Sequence, residues 1–153
     1  MLKSTLSMLL LLIGPLLLIG TDVQAGWRYT SWGMSETDVR NASDGYAYTA
    51  RGRLPMYWME LPRLLAKARF GNFEFLAEFY FDEDEKLTKV RLMPRSEIWC
   101  VDMFRLLNKH YSNYVGPSDE GYVWLDPARN NRILLSDFRG CKLTYSSLAD
   151  TGK

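Results

Sequence analysis

Arg63-Leu64-Leu65-Ala66-Lys67-Ala68-Arg69-Phe70, then Gly71-Asn72, then Phe73-Glu74-Phe75-Leu76-Ala77-Glu78-Phe79-Tyr80-Phe81, then Asp82-Glu83-Asp84-Glu85, then Leu87-Thr88-Lys89-Val90-Arg91-Leu92: this stretch decides the fold. Leu64, Ala66, Ala68 and Phe70 alternate with Arg63, Leu65, Lys67 and Arg69. Phe73, Phe75, Ala77, Phe79 and Phe81 alternate with Glu74, Leu76, Glu78 and Tyr80. Thr88, Val90 and Leu92 alternate with Lys89 and Arg91. Successive side chains of a strand leave opposite faces, so period-two alternation marks a strand that is buried on one side. Runs of this kind joined by short turns predict an antiparallel meander with one apolar and one wet face. On the wet face Lys67 and Arg69 are expected across from Glu74 and Glu78, and these from Lys89 and Arg91, because opposite charges pair across strands.

Upstream, Ser35 suits a helix N-cap, and Asp38 three residues on can close a capping box. A short helix is predicted over Glu36 to Ala42, ended by Ser43-Asp44-Gly45, with Gly45 as the left-handed C-terminal residue. Tyr46 to Pro62 reads as one short strand plus a long loop, punctuated by Gly52, Pro55 and Pro62. Downstream, Pro94-Arg95-Ser96 ends the meander. A second helix is predicted from Glu97 to Tyr111, capped by Ser96. Ile98, Val101, Phe104, Arg105, Leu106, Leu107 and His110 set out its stripe at helical spacing, with Cys100 in the first turn. Gly116-Pro117 marks the exit. Tyr122-Val123-Trp124-Leu125, Arg132-Ile133-Leu134-Leu135 and Cys141-Lys142-Leu143-Thr144-Tyr145 read as three further strands. The expected class is α+β: two helix-plus-antiparallel-meander units, 32–94 and 96–148, packed as one domain over 26–148 with the helices on one face of the sheet. Residues 149–153 read as a frayed tail. The repeat lies in the order of elements, not in residue identity.

The N-terminus reads as a secretory signal peptide. Lys3 supplies the positive region, Met8 to Gly20 the apolar run, and Val23-Gln24-Ala25 a small-x-small site that places cleavage between Ala25 and Gly26. The run is shorter than the roughly 20 apolar residues that span a bilayer, and Gly14-Pro15 interrupts it. No Cys follows to take a lipid, so a released periplasmic or secreted protein without stable membrane insertion is expected. The processed chain keeps the net charge of +1, since Lys3 and Asp22 leave together. That balance argues against nucleic acid, whose binders carry a basic excess. Cys100 and Cys141 are the only cysteines. In an exported chain an even pair reads as a disulfide. A reactive or metal-binding pair competes with that reading, but a zinc site wants three or four ligands.

Trp32-Gly33-Met34-Ser35 at a helix start, followed by Phe79-Tyr80-Phe81-Asp82 and Leu87-Thr88-Lys89-Val90-Arg91-Leu92, resembles the small exported bacterial proteins of the β-lactamase-inhibitor-protein fold. It is also similar to the small lipoproteins of the outer-membrane barrel-assembly machine. The resemblance covers Trp32 to Leu92 and reaches the second half only through element order. It implies a binding module of the cell envelope and assigns no functional position.

Chemistry-bearing sets are few. His110 is the only histidine, so any Ser–His–Asp or Cys–His arrangement would have to use it; at a helix end it serves equally to favour the dipole. Asp82-Glu83-Asp84-Glu85 lacks the alternating ligands and glycine of a calcium loop. Glu74 and Glu78 are expected beside basic neighbours on a wet sheet face, not in a pocket that raises a carboxyl pKa. Asn41-Ala42-Ser43 fits the glycosylation sequon. No catalytic residue, metal or cofactor is expected. The candidate binding residues are Trp32, Tyr46, Tyr48, Arg53, Tyr57 and Trp58, because aromatics with Arg dominate protein–protein hot spots. Trp27, Tyr29, Arg28 and Arg51 accompany them, while Trp124 and Phe104 read as core. The expected function is non-catalytic binding of an envelope or secreted protein. A carrier of a small apolar ligand is the alternative, and a hydrolase using His110 stands third.

Overall fold

The computed structural model describes residues 26–51, 60–95, 100–137 and 140–149. The signal-peptide reading, Arg53, Tyr57, Trp58, Ser96, Glu97 and the tail from 150 lie outside the described residues. Helix α1 spans Glu36–Ala42 and α2 Cys100–His110. The strands are β1 (Tyr48–Thr49), β2 (Leu64–Phe70), β3 (Phe73–Phe81), β4 (Leu87–Pro94), β5 (Tyr114–Ser118), β6 (Gly121–Asp126), β7 (Asn131–Ser136) and β8 (Lys142–Ser147). They form one eight-stranded sheet in the order β1-β2-β3-β4-β8-β7-β6-β5, with every neighbouring pair antiparallel. The class is α+β.

Alternation sets the register. Phe79, Val90, Tyr145, Ile133 and Trp124 stand opposite one another in one row across β3, β4, β8, β7 and β6. Ala77, Leu92, Leu143, Leu135 and Tyr122 make the next row. All of these except Tyr122 are buried. A one-residue slip anywhere would turn both rows into solvent, which is why the apolar pattern specifies the pairing. Met103 and Leu107, one helical turn apart on α2, are buried in the same core. Phe104 of α2 meets Tyr122, Trp124 and Tyr114 at ring-centroid distances of 4.9, 5.4 and 5.6 Å.

The α1 cap is as the sequence predicts. Ser35 Oγ accepts from the Asp38 N–H at 3.2 Å, and the Ser35 N–H donates to Asp38 Oδ2 at 3.1 Å. Ser35 holds the Asp38 carboxyl below its ordinary range, through its hydroxyl first and its N–H second. That contribution is present above the unfolded carboxyl pKa and is lost as pH falls through the folded value. Ser35→Ala is expected to destabilise by about 1 kcal/mol in a denaturant melt at neutral pH. The deficit should shrink once acid has protonated Asp38. After α1 the chain reverses with Gly45 at φ 79°, a conformation that costs glycine little.

Two expectations are corrected. Gly116-Pro117 does not end the helical region in a loop; it lies inside β5. Strand β5 is one of the two outer strands of the sheet, where a residue without an N–H is tolerated. Its register shifts between Tyr114 and Gly116, and Gly116 has φ 130°. The second correction concerns the wet face: Glu78 and Tyr80 are 5% and 1% exposed, for reasons given below.

Candidate functional site: the sheet face away from the core

The residues between the core positions form the opposite face. The pairing aligns Tyr80, Lys89, Ser146, Arg132 and Leu125 in one row across it. Leu65, Glu78, Arg91, Thr144, Leu134 and Val123 form the row beside it. Here the expected charge pairing holds for two pairs, Arg69 with Glu74 at 2.9 Å and Arg91 with Glu78 at 3.9 Å. Lys89 instead contacts Glu60, ahead of β2, and Lys67 stands opposite Leu76.

Tyr80 is the centre of this face. Its hydroxyl donates to Glu78 Oε2 at 2.6 Å and accepts from Arg91 Nη1 at 2.9 Å. Lys89 Nζ lies 4.6 Å and Arg91 Cζ 4.8 Å from the ring centroid. Two cationic head groups thus lie over one aromatic ring, each attracted by its quadrupole. Burial first, then the hydrogen bond and charge of Glu78, push the Tyr80 phenol well above its ordinary range. It therefore stays protonated and remains a donor to Glu78. Alternation alone treats Tyr80 as a solvated residue. The signal that could have found it is the cross-strand pair Tyr80–Lys89 with Arg91 two residues further along.

The sequence-predicted residues are divided. Tyr46 and Tyr48 are 78% and 47% exposed, beside the edge of the sheet and in its two-residue strand. Trp32 packs against the core, and its indole N–H is shared between Asn130 O and Asn131 Oδ1, each at 3.1 Å. It therefore ties the N-terminal segment to the β6–β7 connection. A cavity of about 70 Å³ lies on the open face between Ala50, Arg51, Leu61, Pro62, Leu65, Leu76 and Glu78. It is too small for a ligand of drug size. On the core face Phe75, Phe79 and Trp124 are fully buried.

Cys100 and Cys141 lie against one another as unlinked thiols. Burial, then the hydrogen bond and charge of Cys100, push the Cys141 thiol well up. His110 meets the rings of Phe70 and Tyr111 at 5.3 and 4.7 Å. Among the described residues no group of three or more His, Cys, Asp or Glu could hold a metal ion, and no helix is long and apolar enough to cross a membrane. No protein-family model, curated protein or solved structure matches the chain.

Proposed function

We propose that this protein is an exported, non-catalytic binding module of the cell envelope. It meets a protein partner through the open sheet face and the aromatic segment Tyr46 to Trp58. The observation that carries the proposal is the Tyr80 cluster. Arg91, Lys89 and Glu78 are held in one arrangement by hydrogen bonds and ring contacts on a face the core does not use. Side chains already fixed before association lose less entropy on binding, and arginine with aromatics is the composition of hot spots. Half-buried Met93, Leu134 and Leu125 supply apolar surface beside them.

In this proposal the architecture is two α+β units, 32–94 and 96–148, with both helices on the core side. The strand order supports it: β4 and β8 lie at the centre, and each half runs outward from there to its first strand. A likeness to the β-lactamase-inhibitor-protein fold is part of the proposal and rests on the motifs between Trp32 and Leu92. Export is part of the proposal and rests on the leader-like residues 1–25.

The test is affinity capture of the tagged protein from its own envelope fraction, compared with Met93→Asp and Leu134→Asp. Both positions are partly exposed, so the variants should fold. Loss of roughly tenfold or more of a specific partner is expected. A partner retained equally by both variants would place the interface elsewhere.

A further inference from the structure

On the other side of the sheet, a pocket of about 200 Å³ opens between the N-terminal segment, the end of β2 and the end of α2. Trp27 and Phe70 give it an aromatic wall. Its polar groups are Arg28, Arg129, His110, the tyrosine pair Tyr111 and Tyr145, and Asn131, whose amide donates to Gly26 O and accepts from the Trp32 indole. It continues past His110, Tyr111 and Arg129 into an open groove of about 480 Å³ that also contains Asp126.

The tyrosine pair has a proton to spare. The two hydroxyl oxygens are 3.2 Å apart, and either can be the donor. Whichever donates, the accepting phenol keeps an O–H for which no acceptor stands among the described residues' hydrogen bonds. If Tyr145 donates, the spare O–H is that of Tyr111, which is half-buried and faces both pocket and groove. If Tyr111 donates, it is that of Tyr145, which is 1% exposed and has little water to satisfy it. Burial raises both phenols above their ordinary range, which keeps them protonated. Arg28 lies over the Trp27 ring at 4.8 Å and donates to Arg69 O. Neither Arg28 nor Arg129 forms an ion pair with a carboxylate among the described residues. Elsewhere Arg40, Arg63, Arg69, Arg91, Arg105 and Arg132 do, while Arg51 and Arg95 likewise form none among the described residues.

We propose that this pocket binds a small organic monocarboxylate with a flat apolar body. The body lies against Trp27 and Phe70, and the carboxylate takes the spare tyrosine proton and the Arg129 guanidinium. An aromatic wall with a few convergent donors is the usual construction of a small-molecule site. A carboxylate suits a guanidinium because the pair makes charge-assisted hydrogen bonds. Asp126 lies in the groove and not in the pocket, so its charge opposes entry of a second anionic group and favours a single carboxylate. The inference does not depend on the open sheet face.

Benzoate is the probe and benzamide its neutral match, each titrated calorimetrically into the purified protein at neutral pH and low salt. Saturable one-to-one binding of benzoate is expected, with benzamide at least about tenfold weaker. Arg129→Gln should lose about tenfold, while Tyr111→Phe should lose a smaller factor. Arg129 is exposed, so circular dichroism and the melting curve should not change in its variant. Ring proton shifts of His110 on titration locate the probe. The proposal is overturned by absent or non-saturable benzoate binding, by equal binding of benzamide, or by parental affinity in both variants. Shifts centred on Tyr80 and not on His110 would also overturn it.

Discussion

Trp124→Ala is expected to lower the unfolding free energy by about 3–5 kcal/mol, which is the range for deleting a fully buried aromatic. Trp124 is 0% exposed and stands opposite Ile133 in the row that crosses the sheet. Its ring packs against Phe104 of α2 and Tyr114 of β5, at 5.4 and 5.2 Å. Its N–H donates to Asn108 Oδ1 at 2.9 Å. One side chain thus joins the helix to the outer strands of the second half. Alanine leaves a cavity that three elements border, and a sheet paired on both sides of β6 cannot collapse to fill it. Trp124→Phe keeps a buried aromatic ring and most of the apolar contact, losing the second ring and the donor to Asn108. Asn108 is exposed and can take water in its place, so this variant should recover most of the loss. Urea unfolding followed by far-ultraviolet circular dichroism measures both. A loss below about 1 kcal/mol for the alanine variant would contradict the packing of α2 on the sheet.

Oxidation of Cys100 and Cys141 to a disulfide is expected to raise stability by about 3–4 kcal/mol, the chain-entropy value for a closed loop of roughly 40 residues. The two thiols already lie within hydrogen-bonding reach of one another. Cys100 opens α2, and Cys141 directly precedes β8. The bond would tie the first turn of the helix to the approach of a central strand. The measurement compares melting with and without reductant, alongside the variant with serine at both positions. Reductant should lower the parent to the level of the variant and leave the variant unchanged. Protein recovered from an oxidising compartment should carry no titratable thiol. Two free thiols in that sample would show that the pair is not the clasp its position suggests.

Much of the fold is legible in the pattern of residues, and the reasons differ by element. The first meander alternates strictly for long stretches, so β2, β3 and β4 fall where the sequence predicts, as does α1 behind its Ser35–Asp38 box. Strand β5 was not legible because Tyr114-Val115-Gly116-Pro117-Ser118 carries turn residues and no clean alternation. It becomes a strand only because β6 offers it an edge. The candidate site was less legible than the fold. Trp32 and Tyr46 are equivalent as aromatics in the sequence, yet one is bonded to the Asn130–Asn131 turn and the other is 78% exposed. Tyr80 is buried by Lys89 and Arg91, which join it only through the β3–β4 register.

By itself the sequence determined the strands that alternate, the face each turns to the core, and the capped helix that precedes them. Those properties depend on neighbours a few residues apart, so local physics settles them. Only the tertiary structure decided that β4 pairs with β8, that cations cover Tyr80 on the open face, and that Tyr111 and Tyr145 share one hydrogen bond beside two arginines. Each of these joins residues far apart in the chain. Their meeting depends on which strand edges pair between the two meanders, and no periodicity within either meander encodes that choice.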